Sequence, residues 1–228
     1  HAVAEECEHF IPVSVASNSR NENGEMVFGM NDAVGTFATW PGTMGIAAAV
    51  KGAGIEVADQ FADCIRREWN ACGLRKGYMY MADVMTDPRW QRTYGTFGED
   101  PELIYEIMDH IIPRIQGSAE GVTPQGVAVT TKHFPGGGAR ENGFDPHYAA
   151  GQWNVYATEG SLQKYHIPAF KAAVRIIRHL LCRIIQSRQQ RRAHCRGIVM
   201  GKNWNSSTVG FAYNSPFYSG NAPRTDGI

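Results

Sequence analysis

The sequence lacks several things that would assign it at once. No stretch reaches the ~18 consecutive apolar residues that a membrane-crossing helix needs. Its five cysteines (Cys7, Cys64, Cys72, Cys182 and Cys195) are odd in number and contain no CxxC spacing. That excludes a complete disulfide framework and gives no zinc signature, so buried free thiols are expected. The chain starts at His1 rather than Met and carries no signal peptide, which suggests an N-terminus removed or a piece cut from something longer. Acidic residues are nearly missing from the last third: residues 160–228 hold 11 Lys/Arg and a single carboxylate, Asp226. Residues 1–159 hold the other 21 carboxylates against 11 Lys/Arg, so a formal net charge of zero conceals two oppositely charged pieces.

What is present is enough apolar material for a core, at 43% hydrophobic and 11% aromatic residues. Strand-like and helix-like segments alternate. Ile11-Pro12-Val13-Ser14-Val15-Ala16 reads as a short buried strand, and residues 44–50 as a helix entered through Trp40-Pro41-Gly42. Residues 56–72 repeat Val57, Phe61, Cys64, Ile65, Trp69 and Cys72 at helical spacing, with Asp59, Asp63, Arg66 and Arg67 opposite. Residues 77–82 return to a strand. Asp100-Pro101-Glu102 opens the next helix with a cap, a first-turn proline and a favourable charge. Its stripe is Leu103, Ile107, Ile111 and Ile115, and Pro113 is expected to kink it or end it. A strand over 126–131 and a helix over 162–174 follow. This alternation predicts parallel βα units, as an open α/β sheet or a barrel; a closed eightfold barrel typically needs about 250 residues.

Residues 175–185 pair apolar residues every four positions among arginines. They read as a basic amphipathic helix with a solvated face, as a helix for nucleic acid or an anionic membrane surface, or as an artefact of translation. Residues 201–225, rich in Asn, Ser, Gly and Pro, read as loop.

Three loops follow the expected strands, where α/β folds bind ligands. Residues 86–101 pack Arg89, Arg92, Trp90, Tyr94 and several carboxylates around turn residues. Forked cationic donors and an aromatic face suit a sugar; the alternative is an ion-pair network that stiffens a long loop. In residues 132–147, Lys132 and His133 end an apolar strand, and Gly136-Gly137-Gly138 allow a close backbone approach. A phosphate cradle would need a helix directly after the glycines, whereas Arg140-Glu141-Asn142-Gly143 continues as loop. The Ser/Asn-rich residues 17–24 are weaker evidence.

Asp87-Pro88-Arg89-Trp90-x-Arg92 with Thr96-Phe97-Gly98-Glu99-Asp100-Pro101, and Thr131-Lys132-His133-Phe134 with its glycines, resemble the signature loops of glycoside hydrolase family 3. Ile11-Pro12, Trp40-Pro41 and Val209-Gly210-Phe211-Ala212-Tyr213-Asn214 lie in the order of that family. The likeness runs through residues 10–174, with an island at 208–217. It implies an α/β fold, part of a TIM-type (β/α) barrel incomplete at both ends. It also implies retaining hydrolysis of β-linked glucosides or related sugars, a carbohydrate substrate, no cofactor or metal, no nucleic acid or membrane partner, and a periplasmic or secreted location. By the same resemblance Arg92, Lys132 and His133 bind sugar hydroxyls, with Arg140 a further candidate. Asn18 stands where many members have an Asp. The expected mechanism uses two carboxyl groups ~5–5.5 Å apart. The family's nucleophile lies beyond the 209–214 island and its acid/base in a following domain, which this chain lacks. Asp226, the only later carboxylate, is a weak candidate nucleophile and reads more simply as a turn with Gly227. The implied organisation is a barrel portion at 1–174, an atypical basic segment at 175–207, and an island with a tail at 208–228. The middle segment reads as an out-of-frame translation or a genuine insertion, which the other two reading frames of its coding DNA would distinguish.

Overall fold

In the computed structural model the described residues are 6, 14–18, 37–151, 153–176, 181–183 and 187–188. The chain divides into units at 1–190 and 191–228, and every described residue belongs to the first. Asp226, the 209–214 island and the Ile11-Pro12 pair lie outside the described residues.

Strand β1 (Ala16–Ser17) is followed by two helices, α1 (Thr43–Ala53) and α2 (Glu56–Ala71). Thr43, Ile46, Ala47 and Val50 form the buried stripe of α1. Ala58, Phe61, Ala62, Ile65 and Trp69 form that of α2, close to the expected pattern. Cys64 is only partly buried and Cys72 is exposed at the helix end; both are free, so the expectation of buried thiols fails at Cys72.

Strand β2 (Lys76–Gly77) leads through residues 78–100 to α3 (Pro101–Gln116). Asp100 caps α3 through Oδ1, which accepts from the N–H groups of Glu102 at 3.0 Å and Leu103 at 3.3 Å. Such a cap contributes about 1 kcal/mol. The helix continues past Pro113 and ends on left-handed Gly117. An interior proline costs about 3 kcal/mol. Ile112 and Ile115 are fully buried, and each is worth about 1.5–3 kcal/mol, which offsets that cost. The buried face is centred on Ile104, Ile107, Met108, Ile111, Ile112 and Ile115, with Leu103 at its edge.

β3 (Ala128–Val129) and β4 (Thr131–Phe134) follow, then β5 (Trp153–Asn154). One wide helical turn at Leu162–His166 runs into α4 (Ile167–Ile176), which crosses the 174/175 boundary. The basic helix expected over 175–185 is not formed: α4 ends at Ile176, and β6 (Leu181–Arg183) and β7 (Ser187–Arg188) are strands. Paired apolar residues in a short run do not separate a strand from a helix.

All paired strands are parallel: β1–β2–β3, β4–β6 and β5–β7. The β2–β3 ladder extends through residues 78–82, because Thr130 N–H donates to Gly77 at 2.8 Å and Ala82 N–H to Lys132 at 2.7 Å. In β1–β2–β3 neighbours follow chain order, without the reversal that marks a doubly wound sheet. Ring closure is not seen among the described strands. One core of Phe61, Ile65, Trp69, Tyr80, Phe97, Ile107 and Phe170 joins the helices to these strands. Among the described residues no helix is long and apolar enough to cross a membrane.

Candidate functional site

The loops after β1, β2 and β4 converge. Lys132 Nζ donates to Asn18 Oδ1 at 2.7 Å, joining β4 to the residue after β1. His133 follows on the same strand, with Nε2 3.5 Å from Arg92 Nη1. Arg92 comes from the β2–α3 connection, is 5% exposed, and holds Nε 3.9 Å from Asp145 Oδ2. Arg140, also buried, stacks over Trp90 at 5.7 Å from the ring centre. Asn18, Arg92, Lys132, His133 and Arg140 therefore form one cluster.

Two carboxylates that the motifs did not single out organise the cluster. Asp83 is fully buried. Its Oδ2 accepts from His133 N–H at 3.1 Å and from His133 Nδ1 at 2.8 Å; its Oδ1 accepts from Gly137 N–H. Burial alone would raise its pKa, but the hydrogen bonds from the His133 ring and the Gly137 N–H, with the charge of Arg92, hold it below the usual carboxylate range. Asp145 is 1% exposed and receives Trp90 Nε1 at 2.9 Å, His147 N–H at 3.1 Å and His147 Nδ1. Burial raises its pKa, yet the His147 and Trp90 hydrogen bonds keep it lowered.

Trp90 is therefore not the exposed sugar platform that an aromatic in this loop suggested. It is 0% exposed and spends its N–H on Asp145. Ion pairs also stiffen this loop, in Arg92–Asp145 and in the Arg89–Asp87 pair at 2.7 Å. A sequence signal for Asp83 existed: it is a lone acid in the apolar run 79–84, where an unpaired charge is costly. Its partners lie about fifty residues ahead, so the run did not reveal them.

The glycine run closes tightly over Asp83. A Cβ on Gly138 would lie 1.8 Å from the Val84 carbonyl oxygen, and one on Gly136, at φ +126°, 2.7 Å from His166. The Gly136 carbonyl accepts from Asn154 Nδ2 at 3.3 Å and Tyr156 Oη at 3.2 Å. No α-helix opens after the glycines, only a single turn at Glu141–Gly143, so a helix-based phosphate cradle is absent.

Burial pushes Arg140 down to about 10 and His166 to about 4, and lowers His133 from its ordinary value. At neutral pH Arg140 is cationic, Asp83 and Asp145 are anionic, and His133 is neutral. Among the described residues no three His, Cys, Asp or Glu side chains converge as a metal site. A separate groove of about 780 Å³, lined by Asp59, Asp63, Arg66, Asp109, His110 and Arg114, spends its charges on half-exposed ion pairs such as Arg114–Asp63 at 3.2 Å.

The profile of the glycosyl hydrolase family 3 N-terminal domain matches residues 7–179. The chain belongs to glycosyl hydrolase family 3. Within the family it is 34% identical over 163 residues to a periplasmic β-glucosidase/β-xylosidase of Dickeya chrysanthemi, covering 72% of this chain and 24% of that protein. It is 38% identical over 164 residues to a probable β-glucosidase C of Aspergillus flavus, covering 72% of this chain and 25% of that one. A similar fold is also seen in the β-glucosidase of Listeria innocua in complex with glucose. The TM-score is 0.66 at 22% identity, with 82% of this chain and 23% of that chain covered. The chain spans about a quarter of the length of the curated relatives it matches.

Proposed function

We propose that these residues are the sugar-binding half of a retaining β-glucosidase barrel, in a protein that works outside the cytoplasm. The observation that carries this reading is the convergence of Asn18, Arg92, Lys132 and His133 from three strand ends. In it, Lys132 and Arg92 donate to hydroxyls of a terminal sugar, Asn18 and His133 accept from them, and Arg140 supports Arg92 from behind Trp90.

The described carboxylates do not suit the bond-breaking roles. Asp83 is sealed by three donors, and Asp145 is engaged by Trp90 and His147. A nucleophile must approach the anomeric carbon unencumbered. The cationic transition state calls for a further carboxylate at the site, supplied in this reading from elsewhere in the parent protein. The 228-residue chain alone is accordingly expected to bind sugar without cleaving it.

Incubating the chain with p-nitrophenyl β-glucoside tests this, with no release of p-nitrophenol expected. Robust release that Asp226→Asn abolishes would overturn it and make Asp226 the nucleophile. The second reading is a non-catalytic carbohydrate-binding module built on the same residues. Coding sequence that continues into an Asp-bearing strand and a further domain would exclude it.

A further inference from the structure

His133 has two ring nitrogens, and its neighbours treat them differently. Nδ1 faces Asp83 Oδ2 at 2.8 Å, while Nε2 faces Arg92 Nη1 at 3.5 Å. An ionised carboxylate only accepts and a guanidinium only donates. Between them a neutral imidazole has one consistent arrangement, with the proton on Nδ1 and the lone pair on Nε2. The second proton is disfavoured by burial and by the Arg92 and Lys132 cations. Asp83 also takes the backbone N–H groups of His133 and Gly137, so the main chain and the ring of His133 are pinned by one group. Rotating the ring by a half turn would aim a bare nitrogen or a carbon at the buried carboxylate, leaving it short of a donor.

We propose that Asp83 is a positioning residue that sets the direction of hydrogen bonding at His133, presenting Nε2 as an acceptor so that the ligand group there must be a hydroxyl that donates. The hydroxyl takes over the Nε2 lone pair from Arg92, whose released N–H then donates to a lone pair of that same oxygen. A group with acceptors only, such as an ether, ketone or carboxylate oxygen, meets the Nε2 lone pair and is rejected. This inference rests on the sugar-binding reading of His133 and adds a selection rule to it.

The ¹⁵N spectrum of the full 228-residue chain tests it, with the ring signals of His133 assigned by their loss in His133→Gln. The expected result between pH 7 and 8 is a protonated Nδ1 and a bare Nε2. A proton on Nε2, or rapid averaging between the two forms, overturns the proposal without reference to any sugar. Asp83→Asn keeps the side-chain shape but can turn an N–H toward Nδ1, so the ring proton should move wholly or partly to Nε2. An unchanged tautomer in that variant also overturns the proposal, and a merely structural Asp83 would give that result. If Asp83→Asn does not fold, the wild-type spectrum decides. With glucose as the probe, calorimetry should show Asp83→Asn weakening affinity about 10-fold or more; equal affinity counts against it. If wild type shows the expected tautomer but no heat with glucose or cellobiose, the sugar reading fails and the positioning role of Asp83 stands.

Discussion

Lys132 and Asn18, 114 residues apart in sequence, meet at 2.7 Å between ammonium and amide oxygen. Asn18→Asp would turn this neutral–ionic bond into an ion pair and give any sugar hydroxyl beside it a charged acceptor. Charge-assisted bonds are roughly twice as strong as neutral ones. Glucose affinity should rise several-fold by calorimetry at pH 7, and an unchanged or weaker affinity would refute the assignment of Asn18 to the sugar.

Arg92 reaches Asp145 at 3.9 Å in a buried setting. Arg92→Met removes a buried cation beside that carboxylate, which keeps Trp90 and His147 as donors. Breaking a buried pair costs about 3–5 kcal/mol, and the long separation puts the expected loss near the lower figure. Urea unfolding should show it, and calorimetry should show glucose binding lost. Arg92→Lys keeps the charge without the fork and should recover stability more than affinity.

Gly138 has no room for a methyl group, since its Cβ would sit 1.8 Å from the Val84 carbonyl oxygen. Backbone must shift, which withdraws Gly137 N–H from Asp83 nearby. Gly138→Ala should cost about 2 kcal/mol or more in urea unfolding, whereas Gly52→Ala, with nothing near its Cβ position, should not destabilise.

His166 is 1% exposed and burial pushes it down to about 4. The unfolded chain takes up this proton near 6.5, the folded chain only near 4. Stability from this residue is therefore complete above pH 6.5 and declines as pH falls toward 4. The loss amounts to about 3 kcal/mol. Urea midpoints from pH 7 to 4 should fall in wild type and fall less in His166→Gln, after the shared effect of the carboxylates. Parallel profiles for the two proteins would show that His166 does not carry this dependence.

The sequence by itself determined the main helices and the Asp100 cap of α3. The 3.6-residue spacing of Phe61, Ile65 and Trp69 and the order Asp100-Pro101-Glu102 are local signals, and local backbone physics acts on them directly. It also carried the family, through two loops whose residue types are unusual together. Where a reading depended on neighbours distant in sequence, it failed or stayed open. Pro113 did not end its helix because Ile112 and Ile115, on either side of it, are buried. Residues 181–183 are a strand because β4 pairs with them, although their own pattern equally suits a helix. Trp90 looked like a sugar platform until Asp145, 55 residues later, was found to accept its N–H. Asp83 showed only as a lone acid in an apolar run, and its role stayed hidden because it consists of bonds to a segment 50 residues away. Composition names the groups available for hydrogen bonding, but only the fold decides which buried donor meets which buried acceptor, because each such group must be satisfied wherever the chain brings it.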